Sequence, residues 1–284
     1  MGSIHPTAII DPQADIDADV VIGPHCIIEG KVSVGSGTHL IGHVYLRGPT
    51  TIGTGNQFYP FVCVGFEPQD LSFEPSEHEA GVDIGHDNVL RESVTVHRAT
   101  GSHPTQIGDR NFLMANSHLG HDVVLHNDCT LANGALLGGH VELADSVFLG
   151  GNAAVHQFCR VGRLSIVAGI HGVSKDLPPF CVVHDSRRVG SLNRVGLRRA
   201  GYREHIKPLQ RAFDLLYRYK LSNLTAVEQI EQELGHDPLC LEFTRFVRQT
   251  KRGLTPYASS NADSVTIKAD HQTLMSEVRT PASR

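Results

Sequence analysis

Apolar residues recur along this chain at every sixth position. From Ile4 the frame reads Ile10, Ile16, Ile22, Ile28, Val34, Leu40, Leu46, Ile52, Phe58 and Val64. It resumes at Ile84, Leu90 and Val96, and again from Ile107 through Leu113, Leu119, Leu125, Leu131, Leu137, Leu143, Leu149, Val155, Val161 and Val167 to Val173. A period of six fits neither a helix at 3.6 nor a lone strand at 2.0. It fits short strands joined by corners, three to a triangular coil of about 18 residues, with successive coils hydrogen-bonded about 4.8 Å apart. The apolar residue of each hexad then points into the prism and stacks on its equivalent one coil later. Glycine often follows it, as in Ile22-Gly23, Ile52-Gly53, Leu119-Gly120 and Leu137-Gly138, which suits corners needing positive φ or close backbone approach. The pattern predicts an all-β solenoid over residues 1–180.

Interruptions of the frame at 65–83 and 97–106 are predicted to leave the prism as loops and to cover a site on a neighbouring face. Pro178 and Pro179 are expected to stop further ladder pairing. Residues 181–253 then read as a C-terminal α-helical domain, with amphipathic stretches at 197–219, 224–234 and 239–247. The polar, aperiodic tail at 254–284 is expected to be disordered.

Composition narrows the function. The net charge of −5 argues against a protein that wraps nucleic acid with its whole surface. No apolar run is long enough to span a bilayer, and the opening Met1-Gly2-Ser3-Ile4-His5 lacks the order of a secretory signal, so stable membrane insertion is not expected and the cytoplasm is the expected compartment. The six cysteines form no Cys-x-x-Cys pair, which favours packed, reduced thiols. Charge is uneven: between Arg187 and Lys220, Arg187, Arg188, Arg194, Arg198, Arg199, Arg203, Lys207 and Arg211 meet few acidic residues. Such a platform suits an acidic protein partner or a nucleotide diphosphate.

Candidate chemistry lies among the histidines. With an 18-residue coil, His121, Gly139 and Gln157 share one column, and Asp122, His140 and Phe158 the next. His118 and His156 lie close by in sequence. Imidazoles stacked on adjacent rungs beside a carboxylate point to a site rather than to isolated turn residues.

Several segments carry a more specific likeness: Arg91-Glu92-Ser93-Val94-Thr95-Val96-His97-Arg98, Asn116-Ser117-His118-Leu119-Gly120-His121-Asp122, Gly139-His140-Val141, Ala154-Val155-His156-Gln157-Phe158-Cys159, Asp176-Leu177-Pro178-Pro179 and Gly196-Leu197-Arg198-Arg199-Ala200-Gly201. In this order they resemble the UDP-N-acetylglucosamine O-acyltransferase family, over roughly residues 4–253. The resemblance implies a left-handed parallel β-helix, an exception to the usual right-handed crossover. It implies transfer of a 3-hydroxyacyl group from acyl carrier protein to the 3-hydroxyl of UDP-N-acetylglucosamine, the first step of lipid A synthesis, with no metal or organic cofactor.

On this likeness His121 is the general base, Asp122 the carboxylate supporting it and the Gly139 N–H the oxyanion donor. His118, His140, His156 and Gln157 match sugar and nucleotide contacts, and Asp70 a contact to sugar hydroxyls. Asn193 and Arg199 match residues near the nucleotide, and Gly169 the position limiting acyl length. The family's threefold assembly, with sites between protomers, implies a homotrimer. The chain departs from the pattern at Ser72, where the family has Lys, at Val195 in place of a uracil-side Glu, and at Ala200 in place of an Arg. Two other readings stay open. One is a non-catalytic paralogue binding a sugar nucleotide or the carrier protein; the other is a γ-class zinc carbonic anhydrase using His86, His121 and His126.

Overall fold

Each hexad forms a strand of two to four residues followed by a corner, and Ser3–Ile4, Ile9–Ile10 and Asp15–Ile16 make the first coil. The computed structural model describes residues 2–75, 80–185 and 187–258. Strands stack in parallel with every third neighbour, giving three sheets of 11, 9 and 8 strands. The register carries the hexad frame straight through: Ile22 pairs with Leu40, Leu119 with Leu137, and Leu137 with Val155. These residues are almost fully buried, so the core is a set of aliphatic ladders along the prism axis.

Close approach explains the glycines after the apolar residues, and positive φ adds to it only at Gly65 (φ 87°): a Cβ on Gly35 would lie 2.8 Å from the Gly53 carbonyl carbon on the next coil. Positive φ falls on other corner residues, among them His25, Asp87, Asp122 and His140. Inside one corner Asn56, Asn88 and Asn111 form a buried ladder. Asn56 Oδ1 accepts from Asn88 N (2.9 Å) and Nδ2 (3.0 Å), Asn88 Oδ1 from Asn111 N (2.9 Å), and Asn111 Oδ1 from Cys129 N (2.8 Å).

Both interruptions leave the prism while the hexad ladder continues, since Val64 pairs with Val96 and Val96 with Leu119; a bulge at Gly65 lets Phe66 pair with His97 where the first loop departs. The first loop is tied down by Glu67, which meets Arg47 at 2.8 Å and Arg98 at 3.3 Å.

The end of the β-helix differs from expectation. Leu177 bridges Val161, and beyond the two prolines Cys181–Asp185 adds another parallel rung, pairing Ile166 with Val182 and Val167 with Val183. Arg188–Leu192 then folds back antiparallel and closes that sheet. The prolines are tolerated because they occupy a corner, where the flanking residues make the bonds: Gly162 donates to Leu177 O and Phe180 to Arg163 O. Cys181–Asp185 and Arg188–Leu192 are thus strands, and the helices begin with α1 (Arg194–Arg199), followed by α2 (Ile206–Tyr217), α3 (Asn223–Leu234) and α4 (Pro238–Arg248).

Helix α2 buries Leu209, Ala212, Phe213, Leu215 and Leu216. Asp237 caps α4 by accepting from Leu239 N and Cys240 N, with Pro238 at the first helical position. The start of the expected tail is also built in: Leu254 bridges Asp176, and Tyr257 bridges Val189 and packs against Phe213 and Tyr217. Residues 259–284, expected to be disordered, lie outside the described residues.

Candidate active site

Outward positions of the nine-stranded sheet create the cleft. In register they read His118, Leu136, Ala154 and Gly172, a series of falling side-chain size that deepens the surface toward the C-terminal coils. Two residues further along each coil, past the inward-pointing ladder residue, stand His97, Gly120, Gly138, His156 and Ser174. All of these line one cleft of about 800 Å³, together with Gln69, His121, Gly139, Gln157, Ile170, His171 and Arg187.

At its head His121 Nδ1 lies 2.7 Å from Asp122 Oδ2, the two side chains being only 15% and 11% exposed. Asp122 is fixed from the other side by the second loop: Thr100 Oγ1 donates at 2.7 Å and Thr100 N at 3.1 Å to Oδ2, and Gly101 N at 3.3 Å to Oδ1. Burial pushes this carboxyl up, but the hydrogen bonds from Thr100 and His121 outweigh it and leave Asp122 below the ordinary carboxylate value. An ionised partner at Nδ1 holds that ring proton and leaves Nε2 to accept another.

The His121 ring lies over Gly139. A Cβ at 139 would sit 2.5 Å from both Cε1 and Nε2, so only glycine leaves room for the imidazole. No acceptor among the described residues takes the Gly139 N–H, although its carbonyl accepts from Phe158 N at 3.0 Å. His140 stacks on Phe158 with ring centroids 4.5 Å apart and 7° between planes, and its Nε2 is 3.5 Å from Asp122 Oδ2.

The remaining candidates separate into two groups. His118 faces the cleft and shares a 2.8 Å hydrogen bond between its Nδ1 and Thr95 Oγ1. Burial, then the neighbouring His121, holds it below the ordinary imidazole value. His156 and Gln157 line the cleft, and Arg252 Nη2 lies 3.5 Å from His156 Nδ1. Asp70 is exposed on the first loop. Ser72 donates to its Oδ1 from both N (2.9 Å) and Oγ (2.8 Å), which holds the carboxyl below its usual value, with smaller help from the fields of His121 and His140.

Gly169 sits at the far end beside the cleft-lining Ile170 and His171, its carbonyl accepting from His171 Nδ1 at 2.8 Å. Asn193 and Arg199 do not line the cleft of their own chain. Asn193 caps α1, accepting from Gly196 N and donating to Leu164 O, both at 2.8 Å, so its amide is spent on structure. Arg199 is exposed at the end of α1.

His97 was not among the sequence candidates. It is buried, lies edge-on to His118 at 4.9 Å, and has no partner for Nδ1 among the described residues. Burial first, then His118 and His121, pushes it down to about 4. The carbonic anhydrase set is not assembled. His86 Nδ1 is taken by Thr54 N and Oγ1, and His126 faces Glu142 at 3.7 Å. Among the described residues, the side chains close enough to share a metal ion are His121, Asp122 and His140.

Comparison with known proteins bears on this geometry. Residues 176–255 match the family model described as UDP N-acetylglucosamine O-acyltransferase, domain 2, and residues 104–139 match the bacterial transferase hexapeptide model. The chain is 44% identical over 260 residues to the acyl-[acyl-carrier-protein]--UDP-N-acetylglucosamine O-acyltransferase of Thermodesulfovibrio yellowstonii, covering 89% of this chain and 99% of that one. The enzyme of the same name from Anaeromyxobacter is 42% identical, with the same coverage of both chains. Among solved structures, the UDP-N-acetylglucosamine O-acyltransferase of Moraxella catarrhalis superposes with a TM-score of 0.86 at 35% identity, over 89% of this chain and 99% of that one.

Proposed function

The chain belongs to the UDP-N-acetylglucosamine O-acyltransferase family, and from that premise we propose that it moves a 3-hydroxyacyl group from acyl carrier protein to the 3-hydroxyl of UDP-N-acetylglucosamine, in lipid A biosynthesis. One observation carries the mechanism: the imidazole of His121, backed by Asp122, lies over Gly139 at the head of the cleft, and no acceptor among the described residues takes the Gly139 N–H. His121 Nε2 takes the proton of the sugar hydroxyl as that oxygen attacks the thioester carbonyl. Asp122 stabilises the imidazolium that forms, and the Gly139 N–H stabilises the oxyanion. Collapse of the tetrahedral intermediate expels the carrier thiolate, which recovers the proton from His121. The ester and the free carrier thiol are the products.

The tapering strip of Leu136, Ala154 and Gly172 provides an apolar bed for the acyl chain, ending near Gly169 and Ile170. His118, His140, His156, Gln157 and Asp70 supply polar groups for the sugar nucleotide. Exposed Arg194, Arg198, Arg199, Arg203 and Lys207 on and after α1 form the docking face for the acidic carrier protein. The cleft is open along one prism face, so a homotrimer in which neighbouring copies cover it completes the site; Arg199 serves the nucleotide only from such a neighbour, and Asn193 contributes by holding the start of α1. No helix among the described residues is long and apolar enough to cross a membrane.

The test is mass spectrometry of products from a panel of UDP-sugars and 3-hydroxyacyl carrier proteins, with wild type and His121→Ala side by side. O-acylated UDP-N-acetylglucosamine from wild type, and its loss in the variant, is the expected outcome. Equal product from both proteins, or none from wild type with any pair, would defeat the assignment.

A further inference from the structure

We infer that His121, Asp122 and His140 form a binding site for a first-row divalent metal ion, zinc being the best match, and that its occupancy switches the acyltransferase off. The inference rests on the proposed role of His121 as the base, and adds a regulatory ligand to that site. Two imidazoles and a carboxylate are a donor set suited to zinc, and one ligand atom from each lies within 4.8 Å of the other two. Bonds of about 2.0–2.2 Å around a tetrahedral ion place ligand atoms about 3.4 Å apart. His140 Nε2 and Asp122 Oδ2, 3.5 Å apart, already meet that spacing. His121 Nδ1 and Asp122 Oδ2, at 2.7 Å, are at hydrogen-bond distance and must open by about 0.7 Å once the proton between them is replaced by the metal.

The surroundings favour capture. Asp122 is held by Thr100, which donates to Oδ2, and by Gly101, which donates to Oδ1, and the His140 ring is held flat on Phe158, so both are fixed on rigid corners before any ion arrives. The His140 side chain is 38% exposed, which gives the ion an open path and leaves a fourth position for water. Metal and base function exclude one another for a chemical reason. In the working state Nδ1 carries the ring proton and Nε2 has the free lone pair. When the metal takes Nδ1, the displaced proton resides on Nε2 of the still neutral ring. Nε2 then cannot accept the proton of the sugar hydroxyl, and transfer stops with no change in the fold. The device is reversible, because nothing covalent changes.

The experiment uses the full chain stripped of metal with chelator. Zn²⁺ is titrated by calorimetry and Co²⁺ by visible absorption, alongside acyl-transfer rates with and without Zn²⁺. Variants are His140→Asn and Asp122→Asn, chosen because asparagine tolerates the positive φ of 58° and 59° at these corners. Wild type is expected to bind one Zn²⁺ per chain, to give the intense band of tetrahedral Co²⁺, and to lose at least 90% of its rate at saturation, with recovery on chelation. His140→Asn is expected to bind Zn²⁺ at least 30-fold more weakly and to need correspondingly more Zn²⁺ for the same fractional inhibition of its own metal-free rate. Equal binding by wild type and both variants overturns the site. Full wild-type activity at saturating Zn²⁺ overturns the switch. A metal-free wild type that never transfers acyl groups defeats the proposed function instead, while the binding titrations still decide the site.

Discussion

Replacing Gly139 by alanine adds one methyl group where the base has its ring. The new Cβ would lie 2.5 Å from His121 Nε2 and Cε1, against an ordinary contact of 3.4 Å or more, so the imidazole must retreat by about 1 Å. It cannot do so freely, because the Asp122 bond at 2.7 Å and the His140 N to His121 O bond at 2.9 Å fix both ends of the residue. A 1 Å misplacement of a reacting group costs roughly 100-fold in rate, or about 2.7 kcal/mol of barrier. Gly139 is not at positive φ, so alanine introduces no backbone strain there and reduces the freedom of the unfolded chain by a few tenths of a kcal/mol or more. Steady-state kinetics with acyl carrier protein substrate and UDP-N-acetylglucosamine are therefore expected to show kcat down about 100-fold, with KM for the sugar nucleotide and the melting temperature little changed. A kcat within threefold of wild type, in a folded protein, would refute the claim that the ring position over Gly139 sets the rate.

Other substitutions probe the supports of the site. Thr100→Val removes the 2.7 Å donor to Asp122 and is expected to lower kcat about tenfold, as one hydrogen bond to a charged group is worth about 1.5 kcal/mol; an unchanged kcat in the same assay would show that the loop does not hold the carboxylate. Asn88→Ala leaves the Asn111 N–H and the Gly108 carbonyl without their side-chain partner inside the prism, while Asn56 Oδ1 keeps the backbone N–H of residue 88, with an expected loss of about 2–4 kcal/mol in urea denaturation and near-normal kcat in whatever remains folded. His97, pushed down to about 4, stays neutral in the folded chain while the unfolded chain gains its proton near 6.5. Stability from this group is complete above pH 6.5 and falls as pH drops toward 4, by about 2 kcal/mol once water on the cleft side is allowed for. Denaturation between pH 7 and 4 should show a shallower decline for His97→Gln than for wild type; parallel curves would assign the slope to other groups.

The fold was legible because one physical rule repeats. An apolar residue at each sixth position has a single way to be buried all along the chain, so Ile22, Leu40 and Leu119 report the same coil geometry. The relation between His121 and Gly139 follows from that coil length alone. His97 did not emerge because the second loop separates it from Gly120, its neighbour across the coil, and breaks the fixed spacing that aligned the other columns. The clasp of Thr100 on Asp122 was hidden for the same reason, since a loop side chain has no periodic address. The strand at Cys181–Asp185 was masked by Pro178 and Pro179, whose effect depends on standing at a corner rather than in a ladder. Asn193 shows the limit of carrying a role across by position: its amide caps α1 and bonds Leu164 O, which no local motif announced.

The most direct measurement is a crystal structure of the protein with its O-acylated UDP-N-acetylglucosamine product. The ester is expected at the head of the cleft, with its sugar oxygen within hydrogen-bond distance of His121 Nε2, its carbonyl oxygen receiving the Gly139 N–H, and the acyl chain running over Leu136, Ala154 and Gly172. An ester bound at another face, or one with its carbonyl turned away from Gly139, would contradict the account.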